Sequence, residues 1–306
     1  MASSTPGFEA QDALFDRPHE HVPDHLARAT FRMDFPPSYV LVGLYRFCTD
    51  KLLYIPAWDK CRHAARRGAI VGAVWFALTF NIQRKFIEFF LSNSSSVTGL
   101  SHDTMFGYRV PFNVHTYAAL VFLGRQVTFL LKFFLSRNIN IARERAFAQT
   151  VTSRGKGPEF WQPYVEEWDA PPTPEKKEGA AKFVGSRMGR MALRWAVTTA
   201  LLPFDLYPFV GMVVSAAFKA LGTAEYLHKP YFAAKKMTPS QIAVFVAERK
   251  WDYRTFGFTA ALLEGIPIVG IGFSISNRVG AAMWAFDLEK HQHYVAEQKR
   301  KGGKSQ

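Results

Sequence analysis

The chain has 306 residues, is 48% hydrophobic and 15% aromatic, and contains 28 Phe. Its net charge is +13, yet its mean hydropathy is only −0.06 because charged and apolar segments alternate in blocks, the pattern of a membrane protein rather than of a finely mixed globular chain. Two cysteines, Cys48 and Cys61, exclude a disulfide framework, and the basic residues flank the apolar blocks, which suits anionic lipid head groups and argues against nucleic acid as a partner.

Residues 1–37 are polar, Pro-rich and partly acidic, which predicts a disordered tail. They carry neither the basic n-region nor the apolar h-region of a signal peptide. His19, His21 and His25 lie there without a Cys or a periodic scaffold, so solvated histidines are expected rather than a metal site. From Ser38 onward Val40, Leu44, Phe47, Leu52 and Ile55 recur at helical spacing with Arg46, Asp50 and Lys51 between them, which predicts an amphipathic helix lying in an interface.

A basic collar of Arg62, Arg66 and Arg67 precedes the first apolar block, 68–91. As a helix that block reaches ~36 Å, enough for a hydrocarbon core of ~30 Å. A polar loop, 92–110, follows, with Arg109 as its only Lys or Arg and Asn93-Ser94-Ser95 as an acceptor triplet for glycosylation. The second block, 111–135, opens on Pro111, which suits a first helical turn. It contains Arg125, a charge that a span must turn toward another helix, with Glu88 on the preceding one available. Residues 136–187 are polar and rich in Pro, Gly and charge. They read as a cytosolic loop with Trp161 and Trp168 as aromatic anchors at the membrane surface.

Two further blocks are broken by proline, which lacks an N–H and forces the residue before it out of the helical region. The first centres on Asp205, Pro208 and Gly211; the second on Glu264, Pro267 and Gly270. Each break follows a leucine pair and a carboxylate, and each Pro precedes a serine by seven residues, Ser215 and Ser274, and a cation by eleven, Lys219 and Arg278. They read as two copies of one hairpin design, with Asp205 and Glu264 capping the helix breaks, and with small residues on the second arms (Ala216, Ala217, Gly222; Gly272, Ser276, Gly280, Ala281) letting the hairpins pack together. Between them Thr238-Pro239-Ser240-Gln241 has the form of a capping box. Residues 291–306 form a basic C-terminal tail; His291 and His293 point to different helix faces and suit no metal.

Basic segments lie between the apolar pairs and on both flanks, so the positive-inside rule returns every pair to the cytosol. The broken halves reach only ~15 to 27 Å, mostly short of the core. The predicted fold is an all-α integral membrane protein over 38–290, built of helical hairpins: one spanning pair and two proline-broken, re-entrant hairpins, with interfacial amphipathic helices.

The stretch 251–290 reads W-x-x-R-x-F-G-F … L-L-E-x-I-P-I-V-G … S-N-x-V-G-A-A-x-W-A-x-D-x-E. Through Trp251, Arg254, Phe256, Gly257, Leu263, Glu264, Pro267, Gly270, Asn277, Gly280, Ala281, Trp284 and Asp287 it resembles the fungal outer-spore-wall and lipid-droplet sporulation proteins (the Lds and Rrt type). More distantly it resembles the etoposide-induced-protein and CysZ-like membrane superfamily. The nearer resemblance implies a multi-helix membrane protein of lipid droplets and spore-wall assembly; the distant one would imply sulfate permeation.

The function expected on these grounds is that of a non-enzymatic protein of endoplasmic reticulum or lipid droplets, acting in lipid handling or in spore or cell-wall assembly. Its partners would be membrane lipids with anionic head groups, and further copies of itself or related membrane proteins. The alternative is a small-solute or anion transporter, with Arg125, Lys219 and Arg278 available to an anion. No catalytic residue, cofactor or metal site is expected, since G-x-S-x-G, H-E-x-x-H and P-loop patterns are absent.

Overall fold

The computed structural model describes residues 24–93, 104–105, 108–109, 114–155, 157–168, 170–173 and 210–302. Eight α-helices carry nearly all of this: α1 (Asp24–Met33), α2 (Pro37–Thr49), α3 (Lys51–Asn93), α4 (Val114–Thr152), α5 (Val210–Ala234), α6 (Pro239–Glu248), α7 (Lys250–Gly265) and α8 (Gly270–Gly302). Between α3 and α4 lies a two-residue antiparallel ladder, β1 (Thr104–Met105) with β2 (Tyr108–Arg109). The all-α expectation holds.

The core is organised around α8, on which α1, α2, α4, α5 and α7 all pack. Every residue from Ser274 to Glu289 is buried, as expected of a helix with no polar face. Asp50 separates α2 from α3. Its backbone is extended and its carboxylate accepts a hydrogen bond from the Leu52 amide at 2.9 Å, satisfying one orphan donor of α3. The capping box expected at Thr238 and Gln241 is present at the start of α6.

Several boundaries differ from the sequence reading. The tail expected to run to 37 contains α1 from Asp24, and Leu26 and Ala29 of that helix are buried. The amphipathic helix expected in an interface is instead split into α2 and the start of α3, and α2 is a core helix. Val40 is buried and Phe47 packs on the core beside the buried Tyr39 and Gly43, while Leu52 and Ile55 are exposed, so the stripe chosen by apolar spacing packs only as far as Asp50. Close approach holds α2 there: a Cβ on Gly43 would lie 2.5 Å from the Gly280 nitrogen of α8, so these two glycines set the α2–α8 crossing. The polar loop expected from 136 begins later, because α4 continues unbroken to Thr152. The C-terminal tail is likewise helical, as α8 runs on to Gly302.

α3 and α4 form a hairpin, with Gly68 against Leu131 and Gly72 against Val127. Among the described residues one helix, Thr116–Thr152 within α4, is long and apolar enough to cross a membrane. The spanning pair expected at 68–91 and 111–135 therefore has one qualifying member. In α3 the run is interrupted by Asn81, Gln83, Arg84 and Lys85. The surface of α3 is nevertheless apolar, and Leu78, Ile82, Phe86 and Phe89 are 65–69% exposed.

Candidate functional site

The proline-broken stretch places its residues at the turn joining α7 to α8. Pro267 sits between the helices, and Ile268 adopts φ 65°, a region unfavourable for a β-branched residue. The Thr128 hydroxyl of α4 accepts a hydrogen bond from the Ile268 amide at 2.6 Å and donates one to the Gly124 carbonyl at 2.6 Å. Gly270 is required by proximity, since a Cβ there would collide with the Glu264 carbonyl. Glu264 accepts a hydrogen bond from Asn277 Nδ2 at 3.0 Å, and the same amide group donates to the Ala260 carbonyl at 3.1 Å. Asn277 thus ties the two arms together just below the turn. Asp205 and Pro208 lie outside the described residues, and Gly211 is buried in the first turn of α5.

The turn meets α4 at Gly124 and Thr128, so α4 continues about 15 Å beyond it toward Val114 at ~1.5 Å per residue. The α7–α8 hairpin is therefore shorter than the α3–α4 hairpin along the shared direction. The packing of the second arms differs from the expectation. Gly222 and Gly272 meet nothing, Gly280 serves α2, and the close contact to α5 comes from the first arm, where Gly257 faces the Ala220 carbonyl and Ala224.

Of the other motif residues, six are buried in the core: Phe256, Gly257, Gly280, Ala281, Trp284 and Asp287. The Trp284 ring lies 4.5 Å from that of His228, 4.8 Å from Phe256 and 4.9 Å from Tyr253, and His228 Nδ1 is 2.6 Å from the Tyr253 hydroxyl. Asp287 accepts a hydrogen bond from the Tyr39 hydroxyl at 2.9 Å, and Gly280 lets the Tyr39 carbonyl approach. Trp251 and Arg254 are exposed, with the guanidinium 5.2 Å over the indole.

Arg278, a candidate anion ligand in the sequence, has a different task. Pro230 inside α5 has no N–H to give the Tyr226 carbonyl four residues back. Arg278 Nη1 donates to that carbonyl at 2.9 Å and to the Leu227 carbonyl at 2.7 Å. It repairs the proline site of α5 from α8.

Arg125 and Lys219 do meet. With Lys132 they line a cavity of ≈ 410 Å³ between α4, α5 and the end of α7, which also receives Thr128, Ser215 and Glu264. Among the described residues three cations and one carboxylate thus face one space. Arg125 and Lys132 are seven apart on α4 and share a face; Ser215 and Lys219 are four apart on α5 and share another.

A second polar assembly was not anticipated. Residues 157–173, expected as a membrane-surface loop, fold back on α8. The Phe160 ring stacks on Phe286 at 4.7 Å and Trp161 packs on Tyr231 at 5.7 Å, so the expected anchor Trp161 is a core contact. Glu167 takes hydrogen bonds from Arg249 and, at 2.8 Å, from Gln292, and lies 3.0 Å from His291. Burial opposes its charge, but the Arg249 guanidinium and the His291 and Gln292 contacts hold it down to about 2. Glu289, fully buried, pairs with Lys235 at 2.6 Å and accepts the Gln162 amide at 2.8 Å. Burial lowers Lys235 and the Glu289 carboxylate opposes that shift. The available signal was the run His291-Gln292-His293 on a helix otherwise used for packing. Both histidines serve the returning segment, His293 through the Phe160 carbonyl at 2.8 Å. Among the described residues no group of three or more His, Cys, Asp or Glu is arranged to hold a metal.

The fold defines an α-helical protein with one helix of membrane-crossing length and composition among its described residues. Over 102 residues the chain is 35% identical to outer spore wall protein RRT8 of Saccharomyces cerevisiae, a match covering 33% of this chain and 30% of that relative. The chain thus matches under a third of the length of that curated protein. No protein-family model and no solved structure matches. The similarity supports a relation to fungal spore-wall proteins, and the wider link to CysZ-like proteins finds no support in it.

Proposed function

We propose that this protein is an integral membrane protein of the endoplasmic reticulum or lipid droplets that contributes to spore or cell-wall assembly without catalysing a reaction itself. The observation that carries the reading is the exposed apolar surface of the α3–α4 hairpin. On α3 it runs from Ile70 to Phe89, and on α4 Leu120, Phe122, Phe129, Phe133 and Phe134 continue it. At ~1.5 Å per residue the α3 run is ~30 Å long, the thickness of a hydrocarbon core. An apolar surface of that extent marks contact with a membrane or a partner. It ends at one level on both helices: Gly68 faces Leu131, and just outside lie the exposed Arg66, Arg67 and Arg137. That arrangement suits anionic head groups on the cytosolic side.

The shorter α7–α8 hairpin then enters part-way, and its polar turn is satisfied by α4 through Thr128 rather than by lipid. The spore-wall role rests on the similarity to the yeast protein. The full chain, expressed with a fluorescent tag in a sporulating fungus, tests the reading. It should stay with membranes through alkaline carbonate extraction and label endomembranes or droplets. Release into the carbonate supernatant would sink the membrane assignment, and a uniform nuclear or plasma-membrane signal would sink the location.

A further inference from the structure

We infer that the groove between α5 and α7 holds a phospholipid with an acidic head group: Arg254 receives the phosphate and an acyl chain lies below it. The groove measures ≈ 720 Å³, within the ~300 to 1,000 Å³ of small-molecule sites. Close approach of the two helices, where Gly257 meets the Ala220 carbonyl, forms its floor. Phe218 and Leu221 of α5 wall it on one side, Trp251 and Phe258 of α7 on the other. Phe218 is 71% and Trp251 65% exposed, so the rings at the rim are uncovered.

The placement of polar groups selects the occupant. On α7 the lining is the stripe 251, 254, 255, 258 and 259, one face of the helix. Its hydroxyl protons are already used: Thr255 donates to the Asp252 carbonyl at 3.2 Å and Thr259 to the Thr255 carbonyl at 3.0 Å. Among the described residues Arg254 is the one charged group of the lining, and its guanidinium meets the Trp251 ring, 5.2 Å away, and no carboxylate. A guanidinium held over a ring keeps its N–H groups for an anion, and their fork fits a phosphate.

The groove also has a direction. Trp251 and Arg254 lie at the end nearest Lys250, whereas Phe258 lies toward the Pro267 turn, which α4 receives at Gly124 and Thr128. In the membrane reading that turn sits within hydrocarbon and α7 begins on the cytosolic side. The cation is then outward and the apolar end inward, the order of an acidic head group and its chain. This orientation rests on the membrane reading; the apolar groove with one unanswered cation does not.

The test uses the purified full chain in neutral detergent and a phosphatidate with a photoactivatable diazirine at the end of one acyl chain. Cross-links, mapped by mass spectrometry, should fall at the inner end of the groove, on Ala217, Phe218, Phe258 and Thr259, and unlabelled dioleoyl phosphatidate should compete them away. A diacylglycerol with the same diazirine, which lacks the phosphate, should bind about ten-fold more weakly, as should phosphatidate to Arg254→Gln, the loss of one charged hydrogen bond. Arg254→Lys should recover most of that loss. Ala217→Phe, at an exposed position, fills the groove and should abolish the labelling. Lys229→Gln, exposed on α5 outside the groove, should leave it unchanged.

Wild-type affinity in both Arg254→Gln and Ala217→Phe would overturn the proposal. So would equal labelling by the diacylglycerol, labelling no denser in the groove than along 70–89 of α3, or labelling concentrated at Trp251, which would reverse the lipid. Binding in detergent decides the site, and carbonate extraction decides the membrane reading. A chain released by carbonate that still labels in the groove would sink that reading and keep the site.

Discussion

α8 and α3 are the two long helices that differ most in how they meet their surroundings. From Ser274 to Glu289 α8 is buried on all sides, and its polar groups are answered by protein: Asn277 by Ala260 and Glu264, Arg278 by α5, Asp287 by Tyr39, Glu289 by Lys235. α3 has one partner along its apolar half and presents rings and aliphatic chains everywhere else. By composition the two were alike, each an apolar run interrupted by charge. The difference teaches that the charges in α8 belong to an interior, whereas the apolar residues of α3 need a solvent other than water.

The largest effect that would sharpen this contrast is expected from Trp284→Ala. The indole touches His228, Tyr253 and Phe256 and is 1% exposed. Its removal should cost about 3–5 kcal/mol, measured as a fall in the unfolding midpoint in detergent. An equal loss from Phe86→Ala on α3 would break the contrast, since Phe86 is 65% exposed. Next comes Gly280→Val. A side chain there collides with the Tyr39 carbonyl and pushes α2 off α8, at about 1–3 kcal/mol. Loss of the Tyr39–Asp287 hydrogen bond, followed in the tyrosine ultraviolet absorption, would show that the damage lies at that crossing.

A third effect concerns the segment 157–173 on the buried side. Glu167 is held down to about 2 by Arg249, His291 and Gln292, against the burial that raises it, while an unfolded glutamate titrates near ~4.3. A depressed folded value means that the stabilisation is complete above ~4.3 and is lost as pH falls toward 2, about 3 kcal/mol at most. Protease sensitivity of 157–173 should therefore rise across that window. In Glu167→Gln it should be raised already at neutral pH and should lack this step. A wild-type profile in that variant would mean that another group docks the segment.

The break at Pro267 was legible because proline imposes its geometry locally, and so was the Thr238 capping box, whose partners are three residues apart. The cations of the cavity were legible as charges inside apolar runs. Their meeting was not, because α4 and α5 are brought together by α7 and α8 and not by any spacing in the chain. Arg278 misled for the same reason. It lies eleven residues past Pro267, as Lys219 lies eleven past Pro208, yet its partner is set by Pro230 of another helix. The docking of 157–173 was hidden because a Pro-rich stretch carries no periodicity; the surface it binds is assembled from α5, the end of α6 and α8.

The smallest effect bears most directly on what surrounds α3. Gln126 of α4 accepts hydrogen bonds from Trp75 Nε1 at 2.8 Å and Gln83 Nε2 at 2.9 Å, and returns one to Gln83 at 3.2 Å. On a water-facing surface such a clasp contributes almost nothing, because each group can exchange its partner for water. In lipid that exchange is closed, and interhelical hydrogen bonds average about 0.6 kcal/mol, reaching about 1.7. Gln83→Leu, Gln126→Leu and the double variant form a cycle in which the coupling reports the surroundings. Measured by unfolding in lipid nanodiscs, the coupling should lie near 0.6 kcal/mol. A coupling of zero there would place the clasp in water, and α3 would then need a protein partner rather than a membrane to cover its apolar face.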